Sequence, residues 1–195
     1  GGDDVRARRL HIIGSPGSKG PAPHDRLFLQ NAPATLKDVA RIYLETSFVS
    51  ACVSTRTTLR STYEREASLL WWRTEAGAHD LFVSDEVLGE LSNSRYPRRD
   101  EALRFIQAVP AIPVIDAMVR FAAVLVERKL MPRPVAGDAL HVAIAVVAAV
   151  DYLLTWNVAH LANPNKVLHL NAVCMEHGYI APRILRPDDL QEMER

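Results

Sequence analysis

Twelve consecutive residues, Ala139–Val150, carry a single polar side chain, His141, and lie between Asp138 and Asp151. The run is too short for a bilayer, which takes about 20 residues. It is also too apolar for a solvent-facing helix, so it reads as a helix buried in a core. A helix from Asp138 to about Val150 is roughly 18 Å long at 1.5 Å per residue. The strand that follows, Tyr152 to Trp156, covers about 16 Å. With a tight turn at Val150 and Asp151, the strand runs back along the helix and the two lengths nearly cancel. Asp138 and Asn157 are therefore expected at one level, at the carboxyl end of the strand, where ligands bind in open α/β sheets.

The rest of the chain alternates in the same way. Arg41-Ile-Tyr-Leu reads as a first strand and about Thr57 to Ala76 as a long helix, with apolar surface from Leu69, Leu70, Trp71 and Trp72. Leu81-Phe-Val is a second strand. A helix from Asp85 to about Asn93 follows, with Val87, Leu88 and Leu91 on its apolar side. Another short helix spans Asp100 to Ala108, and Ile112-Pro-Val-Ile is a third strand. Asp116 is expected to cap a helix reaching about Lys129, which Met131-Pro-Arg-Pro breaks. Pro164 to His177 is helical, stopped by Gly178, and Arg183-Ile-Leu is a fifth, edge strand. Strands alternating with helices predict an α/β fold: a doubly wound, mainly parallel sheet of four to five strands with helices on both faces. The strand order does not follow from the pattern.

The 195 residues suffice for one domain with a substantial core. Residues 1–38, with the linker-like Gly14-Ser-Pro-Gly-Ser-Lys-Gly-Pro-Ala-Pro, read as a flexible N-terminal extension or a start-site artefact, leaving 39–195 as the folded domain. The 23 basic and 23 acidic side chains balance, so any binding of nucleic acid must use a local patch. Two distant cysteines, Cys52 and Cys174, are too few for a disulfide framework and point to a reducing cytoplasm. No run is long enough for a membrane span, and Asp3 and Asp4 stand where a signal peptide would be apolar.

Three acids occupy comparable places. Glu45 follows the first strand, Glu90 lies in the helix after the second, and Asp138 opens the buried helix. If the strands are parallel neighbours, these carboxylates and Asn157 converge. Clustered like charges repel unless a divalent cation neutralises them. Hard oxygen donors suit Mg²⁺ or Mn²⁺ rather than zinc, and such a cation can polarise a phosphoryl oxygen and activate water. Metal-assisted phosphodiester hydrolysis is the chemistry that follows. Simpler roles stay open at this stage: a solvated loop residue for Glu45, a helix cap for Asp138, a turn for Asn157. Glu86 and Glu90 share a helix face, so spacing does not choose between them.

His141, one helical turn after Asp138, can bond within the site or sit satisfied in the core. His160 can approach a substrate or pack beside Trp156. Cys174 and His177, with His169 nearby, hint at zinc but lack a fourth ligand. Arg56 with Arg60, and Arg95 with Arg98 and Arg99, can contact phosphates or be solvated faces.

Tyr43-Leu-Glu-Thr-Ser, Val83-Ser-Asp-Glu-Val-Leu-Gly-Glu-Leu, Gly137-Asp-Ala-Leu-His-Val-Ala-Ile-Ala and Asp151-Tyr-Leu-Leu-Thr-Trp-Asn-Val-Ala-His-Leu-Ala-Asn resemble the PIN-domain family, in its VapC-like toxin branch. Asn171-Ala-Val-Cys-Met-Glu-His-Gly-Tyr and Arg186-Pro-Asp-Asp-Leu extend the resemblance, which covers about residues 40 to 190. It implies a Mg²⁺-dependent endoribonuclease, the toxin of a type II toxin–antitoxin pair, with RNA as substrate and an antitoxin protein as partner. A homodimer is left open. Carried over by motif, the acids that would hold the metal are Glu45, Glu90 rather than Glu86, and Asp138, with Asn157 in the fourth position as a metal ligand or orienter of the attacking water. Thr46, Ser47 and Thr155 line the site. Two departures stand out: Glu45 is a methylene longer than the Asp usual there, and Gly137 stands where similar sequences often have a second acid. They motivate the alternative of a catalytically weakened RNA-binding or protein-binding module on the same fold.

Overall fold

The computed structural model describes residues 39–193, with side chains to Leu190, all within one compact unit. The extension expected over residues 1–38 lies outside the described residues. Five strands form the sheet: β1 (Arg41–Leu44), β2 (Asp80–Ser84), β3 (Ala111–Ile112), β4 (Tyr152–Leu154) and β5 (Arg183–Leu185). Their order is β3-β2-β1-β4-β5 and every pairing is parallel. The α/β class and the parallel sheet are as expected, and β5 lies at an edge.

The order decides where a ligand can go. From β1 the chain winds outward to β2 and β3, then returns to place β4 on the other side of β1 and β5 beyond it. Right-handed crossovers in opposite directions put their helices on opposite faces. The helices duly pack in two groups. α1 (Thr46–Cys52) packs with α2 (Leu59–Thr74), α3 (Asp85–Ser92) and α4 (Arg99–Phe105), and α8 (Pro187–Met193) joins at α2. α5 (Asp116–Glu127) packs on α6 (Leu140–Val147). α7 (Val167–Glu176) precedes β5. The reversal of winding falls between β1 and β4, so the crevice that such a reversal leaves is expected at their carboxyl ends.

The apolar run behaves as its composition dictates. Leu140 to Val146 are all buried, including His141, so the helix contacts core on every side. It ends at Val147 rather than near Val150. Ala149 takes a left-handed conformation (φ 51°), and the Val150 N–H returns to the Ala145 carbonyl at 3.1 Å. β1 is equally enclosed, with Ile42, Tyr43 and Leu44 at zero exposure, as expected of a central parallel strand.

Several boundaries differ from expectation. Helix α1 is an addition: it follows β1 after one residue, where the pattern shows no stripe. α2 begins at Leu59 behind its cap Thr58, whose Oγ1 accepts the Ser61 N–H at 3.1 Å. β3 is two residues long because Pro113 has no N–H to continue the ladder. Asp116 is not the cap of α5. Ile115 holds that position without a side-chain bond, and Asp116 is the first helical residue, where its charge suits the helix dipole. Among the described residues no helix is long and apolar enough to cross a membrane.

Candidate functional site

Glu45 is the first residue beyond β1 and caps α1. Its Oε2 accepts the Ser47 N–H at 3.0 Å, the Thr155 hydroxyl at 2.8 Å and the Ser47 hydroxyl, and the side chain is 8% exposed. The added methylene over Asp lets one oxygen satisfy the helix start while the other, Oε1, faces His141 Nε2 at 3.9 Å. Across the crevice, the N-cap bond from Ser84 fixes the first turn of α3, and Glu90 on that helix accepts from His141 Nε2 at 3.2 Å and from the Thr46 hydroxyl. Glu45, Glu90 and His141 each offer a ligand atom, all within 4.8 Å of one another.

His141 is the residue that sequence reasoning underrates. Its ring is 1% exposed and both nitrogens are engaged: Nε2 with Glu90, Nδ1 with the Tyr43 hydroxyl at 2.8 Å, which in turn meets Ser84 Oγ at 2.7 Å. Burial opposes the charged imidazole. The Glu90 hydrogen bond and the charges of Glu45, Glu90 and Glu86 outweigh it and raise the His141 pKa above its usual value. Burial also pushes Glu90 upward, but the His141 hydrogen bond and charge, with Thr46, hold its carboxyl below the ordinary range. With the imidazole protonated, both ring nitrogens donate and the counter-charge for two carboxylates is built into the core. Tyr43 stays a neutral phenol, its pKa raised well above normal, chiefly by burial.

Asp138 and Asn157 form a second group. Asn157 Nδ2 donates to Asp138 Oδ1 at 2.9 Å, so the two residues do meet at one level. The Asn157 Oδ1 accepts the His160 N–H at 3.2 Å, which turns its amide oxygen away from Asp138. Thr155 joins the groups: its hydroxyl donates to Glu45 and accepts the Asn157 N–H at 2.9 Å. Ser47 accepts the Trp156 N–H at 2.8 Å, and the Trp156 ring is tied to Ser68 at 2.8 Å, which pins the segment carrying Asn157. His160 lies over Asp138, Nδ1 to Oδ2 3.6 Å.

Glu86 and Glu90 both reach this region with separate partners, since Glu86 accepts the Gly137 N–H at 2.7 Å. Gly137 sits at φ 73°, ψ −129°, a conformation that side-chain-bearing residues rarely adopt, and a Cβ there would lie 3.9 Å from Glu90 Oε1. That backbone conformation accounts for the glycine. Gly137→Ala is expected to cost about 1–3 kcal/mol of stability through backbone strain alone. Urea unfolding checks this, and a change below about 0.5 kcal/mol would sink it.

The other candidates stay apart. Cys52 and Cys174 are free and buried, each thiol pushed up to about 12 by burial. His177 Nδ1 bonds the Val173 carbonyl at 3.0 Å, and Cys174 and His177 gain no further ligand among the described residues. Arg56, Arg60, Arg95, Arg98 and Arg99 are exposed, with Arg60 on Glu64 at 2.7 Å and Arg98 on Glu101 at 3.4 Å.

Five parallel strands with carboxylates and an imidazole at the switch point define an α/β protein carrying a candidate metal centre. No family model matches the sequence, and no curated protein matches it. Solved structures do. VapBC2 from Rickettsia felis, bound to a DNA fragment from its promoter, is similar at 16% identity and TM-score 0.48, covering 64% of this chain and 94% of that one. The sarcin–ricin loop cleaving toxin VapC20 of Mycobacterium tuberculosis is similar at 17% identity and TM-score 0.47, covering 66% and 94%. FitAcB from Neisseria gonorrhoeae is similar at 12% identity and TM-score 0.48, covering 75% and 97%.

Proposed function

We propose that the chain is a metal-dependent endoribonuclease, the toxin of a toxin–antitoxin pair, acting in the cytoplasm on RNA phosphodiester bonds. The observation that carries the proposal is the gathering of Glu45, Glu90 and His141 at the β1/β4 switch point, with the Asp138–Asn157 pair tied to it through Thr155. The motif resemblance supports the RNA substrate and the antitoxin partner.

The donor set fits a divalent cation. One imidazole stands between two carboxylates, Glu45 buried and Glu90 about a third exposed, a clustering of negative charge that a bound cation can balance. Glu45, Glu90 and Asp138 would hold Mg²⁺ or Mn²⁺, and His141 would join them only as a neutral imidazole, with Nε2 free of its proton. A bound cation supplies charge that polarises a phosphoryl oxygen. The residues do the positioning. Thr155 and Ser47 fix Glu45, Thr46 fixes Glu90, and Asn157 turns Asp138 so that its Oδ2 can accept a proton from the attacking water.

Titration calorimetry with Mg²⁺ and Mn²⁺, followed by RNA cleavage with and without chelator, tests the reading. Saturable heat, cleavage that stops with chelator, and its loss in Asp138→Asn are expected. Folded, metal-loaded protein free of antitoxin that cuts no RNA would overturn it. Absence of saturable heat would point to the weakened binding module instead.

A further inference from the structure

Beside the acidic centre lies a cleft of about 410 Å³ whose walls include Lys129, Arg133, His160 and Lys166, with Leu130 and Met131 buried beneath. No acidic side chain lines it. Its volume falls in the range of about 300–1,000 Å³ usual for clefts that hold small organic groups. The chain as a whole is neutral, so four basic side chains around one cleft are not a by-product of general basicity. Among the described residues, neither Lys129 nor Arg133 has a carboxylate within ion-pair distance, while Arg60, Arg65, Arg98, Arg128 and Arg186 each have one. Lys166 is held to the cleft by its bond to the His160 carbonyl at 3.2 Å.

His160 connects the two places. Its backbone is bonded by Asn157, its ring lies 3.6 Å from Asp138, and its side chain also lines the cleft. A strand whose reacting phosphate lies at Asp138 therefore continues past His160 into the cleft. We infer that the cleft is the subsite for a nucleotide of single-stranded RNA flanking the scissile bond. Lys129, Arg133 and Lys166 hold its backbone phosphate. This rests on the nuclease reading above. Unpaired cations grouped in one cleft suit an anionic group such as a backbone phosphate. The position beside the acids favours a substrate strand over an acidic protein segment.

The test uses Glu90→Gln protein in chelator, so that RNA is held uncut, with and without the pair Lys129→Gly and Arg133→Gln. Glycine suits the φ of 58° at Lys129 and removes the charge without backbone strain. Anisotropy of a labelled, short, mixed-sequence single-stranded oligoribonucleotide is followed across a salt series. The paired variant is expected to bind about tenfold or more weakly. The slope of log affinity against log salt should shrink by about 0.7 for each phosphate that the removed cations had neutralised. In metal-loaded wild type the same pair should raise KM and leave kcat unchanged. Equal affinity and slope, in a protein whose wild type cuts RNA, would overturn the subsite and leave the nuclease standing. Unchanged RNA binding with reduced affinity for an acidic protein partner would overturn it in favour of a docking surface. A wild type that neither binds nor cuts RNA removes the nuclease reading itself, and the subsite with it.

Discussion

Glu90→Gln is expected to lower RNA cleavage by at least about a hundredfold while the fold survives. Glu90 is where three elements meet: it is carried on α3, bonded by Thr46 from α1 and bonded by His141 from α6. Glutamine keeps the shape but removes the charge, so the centre loses one of the carboxylates that would hold the cation. Groups that merely support a metal ligand are worth about 10–100-fold, so the loss of a ligand should reach or exceed that range. Stability should fall because the variant loses the His141 ion pair, but by less than in His141→Ala, since Glu90 is about a third exposed and the amide can still meet Thr46 and His141. Initial rates on a labelled RNA, with circular dichroism to verify folding, measure the effect. A variant cutting within about threefold of wild type would remove Glu90 from the centre.

His141→Ala should produce the largest stability change, seen in metal-free protein at about pH 6, where the pair is fully formed. Breaking a buried ion pair costs about 3–5 kcal/mol. The lower end, about 3 kcal/mol, is expected because water reaches Glu90. The pH dependence has a fixed sign. His141 is raised above 6.5, so its stabilising charge is fully present below that value and is lost as pH rises through the raised pKa. Glu90 is lowered below 4.5, so its contribution is present above that value and is lost as pH falls through the lowered pKa. The pair therefore contributes most between 4.5 and 6.5. Wild type should lose stability on the alkaline side of that window, and the variant should lack that limb. Urea midpoints across pH decide it; matching profiles for the two proteins would count against a charged His141.

The parts of this architecture that rest on one-dimensional signals are readable from the chain. A helix buried on every side has no periodicity to misjudge, and so lengths alone bring Asp138 and Asn157 together, as the structure does. Helix α1 escapes because its cap is a glutamate rather than the short polar residues that usually mark a helix start, and because it follows β1 without a loop. His141 is visible as the polar member of an apolar run. Its partners Tyr43 and Glu90 lie 98 and 51 residues away, so satisfied packing and a place in the site look the same in sequence. The basic cleft has no linear signature. Lys129 and Arg133 meet His160 and Lys166 only through tertiary packing, whereas the arginine clusters evident in the sequence lie on exposed faces.

The pairing of β1 with β4 has a consequence for how the protein is made. Ile42 pairs with Tyr152, and Glu45 is fixed by a hydroxyl at Thr155, so the first acid is synthesised long before the strand that positions it. Until the ribosome has released β4, Glu45 lacks its partner strand and Asp138 lacks Asn157. Chains ending between Asp138 and Tyr152 carry all three acids but lack the strand that fixes Glu45 and the Asn157 that bonds Asp138. On the nuclease reading, aborted translation products of this chain lack a complete centre, and such pairing between distant segments also makes folding slow relative to a helical bundle of similar size.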